Sequence, residues 1–123
     1  MKIKQAADDF RVEELTDFVP SAGAFALYQL HKTGWTTHDA LNTVRRLWQV
    51  PPQRLSFGGL KDRHAQTLQH FTIEAGPPES LDQRGLRVTY LGQVPEPFAS
   101  RHIRANRFLI VIRDLTSARA ERT

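Results

Sequence analysis

The sequence predicts an α+β fold with a mixed or antiparallel sheet and one helix. Three observations carry this reading. Short runs rich in β-branched and aromatic residues recur along the chain, glycine and proline breaks separate them, and a single segment spaces its apolar residues at the helical period. The 123 residues, 40% of them hydrophobic, suffice for one domain and one core.

The elements follow in order. Asp9 to Leu15 alternates Phe10, Val12 and Glu14 on one side with Arg11, Glu13 and Leu15 on the other, the period of a short, half-exposed strand. A turn carrying Pro20, Ser21 and Gly23 leads to a second strand over Phe25 to His31. The helix spans Thr37 to Gln49, because Ala40, Leu41, Val44, Leu47 and Trp48 form one apolar stripe. Thr36 or Thr37 caps its start, Asp39 suits its positive end, and Pro51-Pro52 ends it. Arg45 and Arg46 fall off the stripe into water. Leu55 to Phe57 is a short apolar approach to Gly58-Gly59, and a further strand covers Gln69 to Ile73. Gly76-Pro77-Pro78 is a break, Leu86 to Leu91 a strand, and Val94-Pro95-Glu96-Pro97 a stiff turn. Phe108 to Ile112, apolar on both faces, reads as a buried central strand, and Asp114 to Thr123 as a charged, helix-like segment.

Composition narrows the function. With no cysteine, disulfides, thiolate catalysis and Cys-based zinc sites are excluded, and the five histidines show no metal-ligand spacing, so no metal is expected. The longest apolar run is far short of the ~20 residues of a membrane span. No apolar stretch follows Lys2 and Lys4, so the start does not read as a signal peptide. A soluble, cytoplasmic protein without membrane contact is the expectation.

The net charge of +4 is unevenly placed, with six arginines and one acid, Glu96, between Arg84 and Arg113. Guanidinium groups pair bidentately with phosphate and stack on bases, so this segment suits an RNA surface. A solvated basic face with no ligand has the same composition.

The chemistry lies in Phe57-Gly58-Gly59-Leu60-Lys61-Asp62-Arg63-His64-Ala65-Gln66-Thr67. Two glycines after an apolar strand let the chain turn sharply and a ligand come close. One carboxylate, Asp62, follows among Lys61, Arg63 and His64; neighbouring cations favour its ionised form, which suits a nucleophile or weak base rather than an acid. Taken by itself, such a triplet is equally a surface turn.

The segment resembles the Gly-x-Lys-Asp-x-x-Ala-x-Thr signature of the TruD family of tRNA pseudouridine synthases. Gly59, Lys61, Asp62, Ala65 and Thr67 fill every defined position, and Gln69 follows as is common in that family. Lys4 with Asp8-Asp9-Phe10-x-Val12-x-Glu14 resembles the family's N-terminal block. Arg104-Ala105-Asn106-Arg107-Phe108, with Ile110 and Arg113, resembles its Gly-Asn-x-Phe block, Ala105 standing where glycine is usual. The lysine- and arginine-rich run common before that block is absent from Pro95 to His102.

The resemblance implies isomerisation of uridine to pseudouridine in tRNA, at position 13, with no cofactor or metal. Asp62 matches the catalytic aspartate, Lys4 the basic residue beside it, Phe108 the ring that stacks on the target base and Asn106 the polar group next to that ring. Lys61 and Gly59, and Arg104 and Arg107 near the platform, are the further substrate contacts expected, with Arg101 another phosphate contact. Members of the family are much longer, so the resemblance also implies that residues 1–123 are the N-terminal portion of a catalytic domain without its accessory insertion. A monomeric full-length enzyme is expected, with the isolated 123 residues inactive, marginally stable or self-associating, because unpaired strand edges invite association. The alternative of another class is a non-catalytic basic RNA-binding module. A glycoside hydrolase would need a second carboxylate, and Asp62 has none nearby in sequence.

Overall fold

A computed structural model describes residues 10–59 and 66–110. The expectations for Lys4, Lys61, Asp62 and His64, for residues 111–112 and for Asp114 to Thr123 lie outside the described residues. The described residues form seven strands and one α-helix: β1 Phe10–Thr16, β2 Phe25–Lys32, α1 Thr37–Trp48, β3 Leu55–Phe57, β4 Gln66–Glu74, β5 Leu81–Gln83, β6 Leu86–Val94 and β7 Ile103–Ile110. The strands join in one sheet in the order β5-β6-β2-β4-β1-β7, and β3 pairs with β4 as well. Every pairing is antiparallel except β1 with β4. The expected α+β class with a mixed sheet and one helix is thus the observed one.

Alternation along β2 sets the layers. Ala26, Tyr28 and Leu30 face α1, where they join Ala40, Leu41, Val44, Phe71, Ile73 and Val88 in the main core, and Lys32 is buried in the same phase. Leu27 points the other way, into a smaller cluster with Val94, Phe98, Phe18 and Ile103. The central strand β4 is buried on both faces from Thr67 to Ile73 apart from half-buried Leu68.

The helix begins where the sequence places it. Thr36 is the N-cap, its hydroxyl accepting from the Asp39 N–H at 3.1 Å. Its end differs from expectation. Gln49 adopts a left-handed conformation (φ 55°) that turns its own and the next N–H back to the last carbonyls, so the prolines follow the stop rather than cause it. Leu47, although on the apolar stripe, is 48% exposed. Arg46 is exposed as expected, whereas Arg45 is half-buried and donates to the Val50 carbonyl and to Asn42.

Three features of the sheet were not foreseen. The short strand β5 pairs Leu81–Gln83 with Leu86–Val88. A bulge in β6 leaves Leu91 unpaired between Tyr90 and Gly92. There Gly92 has φ +145°, and an added Cβ would lie 2.6 Å from Pro20, so this position requires glycine. The expectation of a buried central strand over Phe108 to Ile112 is corrected. The strand starts at Ile103 and is outermost in the described sheet, with Phe108 62% exposed. In the described sheet β7 has a paired neighbour, β1, on one side only.

Candidate functional site

Register across the sheet places the site. Phe108 pairs with Val12, Val12 with Thr67, Thr67 with Lys32, and Lys32 with Leu86, so these five residues form a row on the α1 face. Phe108 and Thr67 are two strands apart, about 10 Å between backbones. Asn106 pairs with Glu14 two residues along β7, on the same side as Phe108. The exposed ring thus shares a face with the strand that resumes immediately after residues 60–65.

The chain enters that segment through Gly58 and Gly59. An added Cβ at Gly58 would lie 2.6 Å from Ile103 Cδ1 and 3.1 Å from Phe98 Cε2, so Gly58 serves close packing. At Gly59 an added Cβ would meet no described atom within 4 Å. The Gly59 carbonyl accepts from Gln69 Nε2 at 3.1 Å, and Gln69 Oε1 accepts from Thr37 Oγ1 at 2.8 Å. Both Gln69 and Thr37 are buried.

Lys32 belongs to the same buried layer. It is fully buried, and its ammonium donates to the Trp35 carbonyl at 2.8 Å. Sequence reasoning looked to Lys4 for a cation near the site and missed Lys32. The available signal was a lysine on the apolar side of an alternating strand, in phase with Ala26, Tyr28 and Leu30.

The predicted arginines do not act as one free patch. Alternation turns Arg107 to the face opposite Phe108, where its Nε donates to Glu13 at 3.0 Å. Arg104 pairs with Asp17 at 3.2 Å and Arg101 with Glu96 at 2.7 Å. The hydrogen bond from Arg101 holds the Glu96 carboxyl below the ordinary carboxylate range. Asp17 and Glu13 come from far along the chain, so the local excess of arginine in the sequence overstates the field. All three arginines remain more than half exposed, and exposed pairs of this kind contribute little to stability. Phe98 is core rather than surface, 1% exposed, with its N–H donating to Thr72 Oγ1.

The face opposite Phe108 holds a cavity of about 320 Å³ lined by Glu13, Leu15, Gln29, Leu68, His70 and Arg107, among others. Neither Phe108 nor Asn106 reaches it. Among the described residues no helix is long and apolar enough to cross a membrane.

An exposed aromatic ring, Phe108, thus shares a face of a mixed α+β sheet with β4, the strand that follows residues 60–65. Comparison with known proteins specifies the family. The family profile of tRNA pseudouridine synthase D (TruD) matches residues 1–123, and the chain belongs to that family. It is 36% identical over 123 residues to tRNA pseudouridine synthase D of Anaeromyxobacter sp. (strain Fw109-5), covering 97% of this chain and 35% of that protein. It is 32% identical over 120 residues to the enzyme of the same name from Methylococcus capsulatus, covering 93% and 34%. A crystal structure assigned to tRNA pseudouridine synthase D of Methanosarcina mazei superposes with a TM-score of 0.79 at 28% identity, covering 85% of this chain and 25% of that one. The chain therefore spans about a third of the length of the relatives it matches.

Proposed function

We propose that this chain is the N-terminal portion of a tRNA pseudouridine synthase catalytic domain, and that the protein it belongs to isomerises uridine to pseudouridine in tRNA, at position 13. The observation that carries this reading is the family match across residues 1–123, which includes Gly59, Lys61, Asp62, Ala65 and Thr67 in the signature spacing. No cofactor or metal is needed for the chemistry proposed.

In this reading Asp62 starts cleavage of the N1–C1′ glycosidic bond, as nucleophile or by taking a ribose proton; the freed uracil turns, C5 bonds to C1′ as Asp62 leaves that carbon or returns its proton, and C5 then loses its proton while N1 gains one. Lys4 keeps Asp62 ionised. Phe108 stacks on the extruded base with Asn106 beside it, and a stack of this kind contributes about 1–3 kcal/mol per base. That offsets much of the cost of extruding a base, a few kcal/mol. Lys61 and Gly59 contact the substrate next to Asp62. The exposure of Phe108 supports the stacking role, since a ring 62% open to solvent does not fill a core. Arg104 and Arg107 contact phosphate, exchanging their present carboxylate partners for it.

The test is to map pseudouridine in tRNA after incubation with the protein expressed from the complete reading frame that carries this sequence. Conversion of a specific uridine supports the reading. Tight RNA binding without any conversion would favour the non-catalytic RNA-binding module instead.

A further inference from the structure

The tight turn Arg84-Gly85 joins β5 to β6, since Gln83 pairs with Leu86. Its backbone is held at both residues. The Thr33 N–H donates to the Gly85 carbonyl at 2.9 Å, and Trp35 Nε1 to the Arg84 carbonyl at 3.3 Å. Gly85 has φ +70°, and an added Cβ there would lie 2.9 Å from the Thr33 carbonyl oxygen, so the turn requires glycine. The Trp35 carbonyl in turn accepts from the buried Lys32 ammonium, which ties the turn to the interior of the sheet.

Nothing comparable holds the Arg84 side chain. Among the described residues, every other arginine except Arg46 pairs with a carboxylate or donates to a backbone carbonyl. The acid of this hairpin, Asp82, faces Arg87 at 3.7 Å. Arg46 has a local role, because it lies in the last turn of α1 and complements the negative end of the helix dipole. Arg84 is exposed, lies outside any helix and has no acid beside it among the described residues. Its place in the sheet is equally specific. The row that carries Phe108 runs through Val12, Thr67 and Lys32 to Leu86, the residue that follows the turn. With strands ~4.8 Å apart, Leu86 lies about 19 Å across the sheet from Phe108.

We propose that Arg84 is a phosphate-binding residue for tRNA, presented on a firmly held turn at the far end of the row from Phe108. The proposal rests on the reading that the protein acts on tRNA. A guanidinium fork pairs bidentately with phosphate, and Arg84 does so without giving up a carboxylate, unlike Arg104 and Arg107. A backbone already fixed lowers the ordering cost of the contact. Phosphate contacts set the register and orientation of a nucleic acid without reading its sequence. Together with the ring of Phe108, Arg84 gives the RNA two points of attachment across the sheet.

The experiment uses the complete reading frame carrying Arg84→Ala, Arg84→Lys or Arg46→Ala. It measures the tRNA dissociation constant at several salt concentrations and the single-turnover rate of pseudouridine formation at saturating tRNA. For Arg84→Ala we expect affinity to fall about three- to tenfold and the slope of log K against log salt to drop by about one. The single-turnover rate should stay within about twofold, because the contact is remote from the ring. Arg84→Lys keeps the charge and loses the fork, so it should keep the slope and lose less affinity. Arg46→Ala should leave both readings at wild type.

A folded Arg84→Ala protein with wild-type affinity and wild-type slope would overturn the proposal. An equal loss in Arg46→Ala would overturn it as well, since the effect would then belong to overall charge. If Arg84→Ala does not fold, Arg84→Gln decides by the same slope. A wild-type protein that binds tRNA without converting uridine removes the catalytic reading, and the slope of Arg84→Ala then decides the contact alone. Absence of tRNA binding by the wild type removes both.

Discussion

The Glu14 carboxylate accepts the backbone N–H of His70 at 2.8 Å and lies 3.3 Å from its Nδ1. The reason is topological. One edge of β4 is shared by β1, which pairs at Gln66 to Leu68, and β3, which pairs at Phe71 to Ile73. Between them the edge lacks a backbone partner, and Glu14, 3% exposed, fills the gap with a side chain. Replacing Glu14 by Ala strands a buried donor and is expected to cost about 1–3 kcal/mol. Glu14→Gln keeps an acceptor and should cost less; urea denaturation of both variants checks the order.

Tyr28 ties the centre of the sheet to the turn beyond β4, its phenol donating to the Pro77 carbonyl at 2.6 Å. Burial, with smaller contributions from Tyr90 and Glu79, raises its pKa well above the ordinary tyrosine value. A raised folded pKa gives stability that is complete below the unfolded pKa, about 10, and is lost as pH rises above it. Thermal melts of the wild type should therefore fall above pH ~10, and Tyr28→Phe should flatten that fall. At neutral pH the same variant should cost about 0.5–1.5 kcal/mol for the lost hydrogen bond. Equal alkaline slopes in the two proteins would contradict this.

Phe108 and Phe71 separate function from folding. Phe71 is fully buried and Phe108 is 62% exposed. Phe71→Ala should destabilise by about 3–5 kcal/mol. Phe108→Ala should stay within about 0.5 kcal/mol of wild type. Its loss should appear instead in turnover of tRNA, by the equivalent of the ~1–3 kcal/mol of a base stack. Chemical denaturation alongside a single-turnover assay distinguishes the two.

Arg104 and Arg107 make exposed ion pairs with Asp17 and Glu13. Exposed pairs contribute little to stability, so alanine variants should melt within a few degrees of wild type. If each guanidinium takes a phosphate, each variant should weaken tRNA binding and reduce the dependence of log K on log salt by about one. Binding titrations at three or more salt concentrations read this slope directly.

What could be read in advance was local. The α1 stripe, the Thr36 cap and the alternation of β1 and β2 each rest on residues a few positions apart. The errors are non-local. Phe108 to Ile112 has the composition of a central strand, but composition does not report how many neighbours a strand acquires. The arginine run read as strongly basic because Glu13 and Asp17 reach Arg107 and Arg104 from far along the chain. Lys32 carried a local signal, its phase with Ala26, Tyr28 and Leu30, but its place in a row with Thr67 and Val12 follows only from the strand order. At the site, the motif spacing pointed to Gly59 and Gln69, but the bond between them follows only from the fold.

The most direct test of the central claim is pseudouridine mapping in tRNA with the wild-type protein of the complete reading frame and its Asp62→Asn variant, side by side. The account predicts conversion of one specific uridine by the wild type and none by the variant, with tRNA binding retained in both. Equal conversion by Asp62→Asn would contradict it.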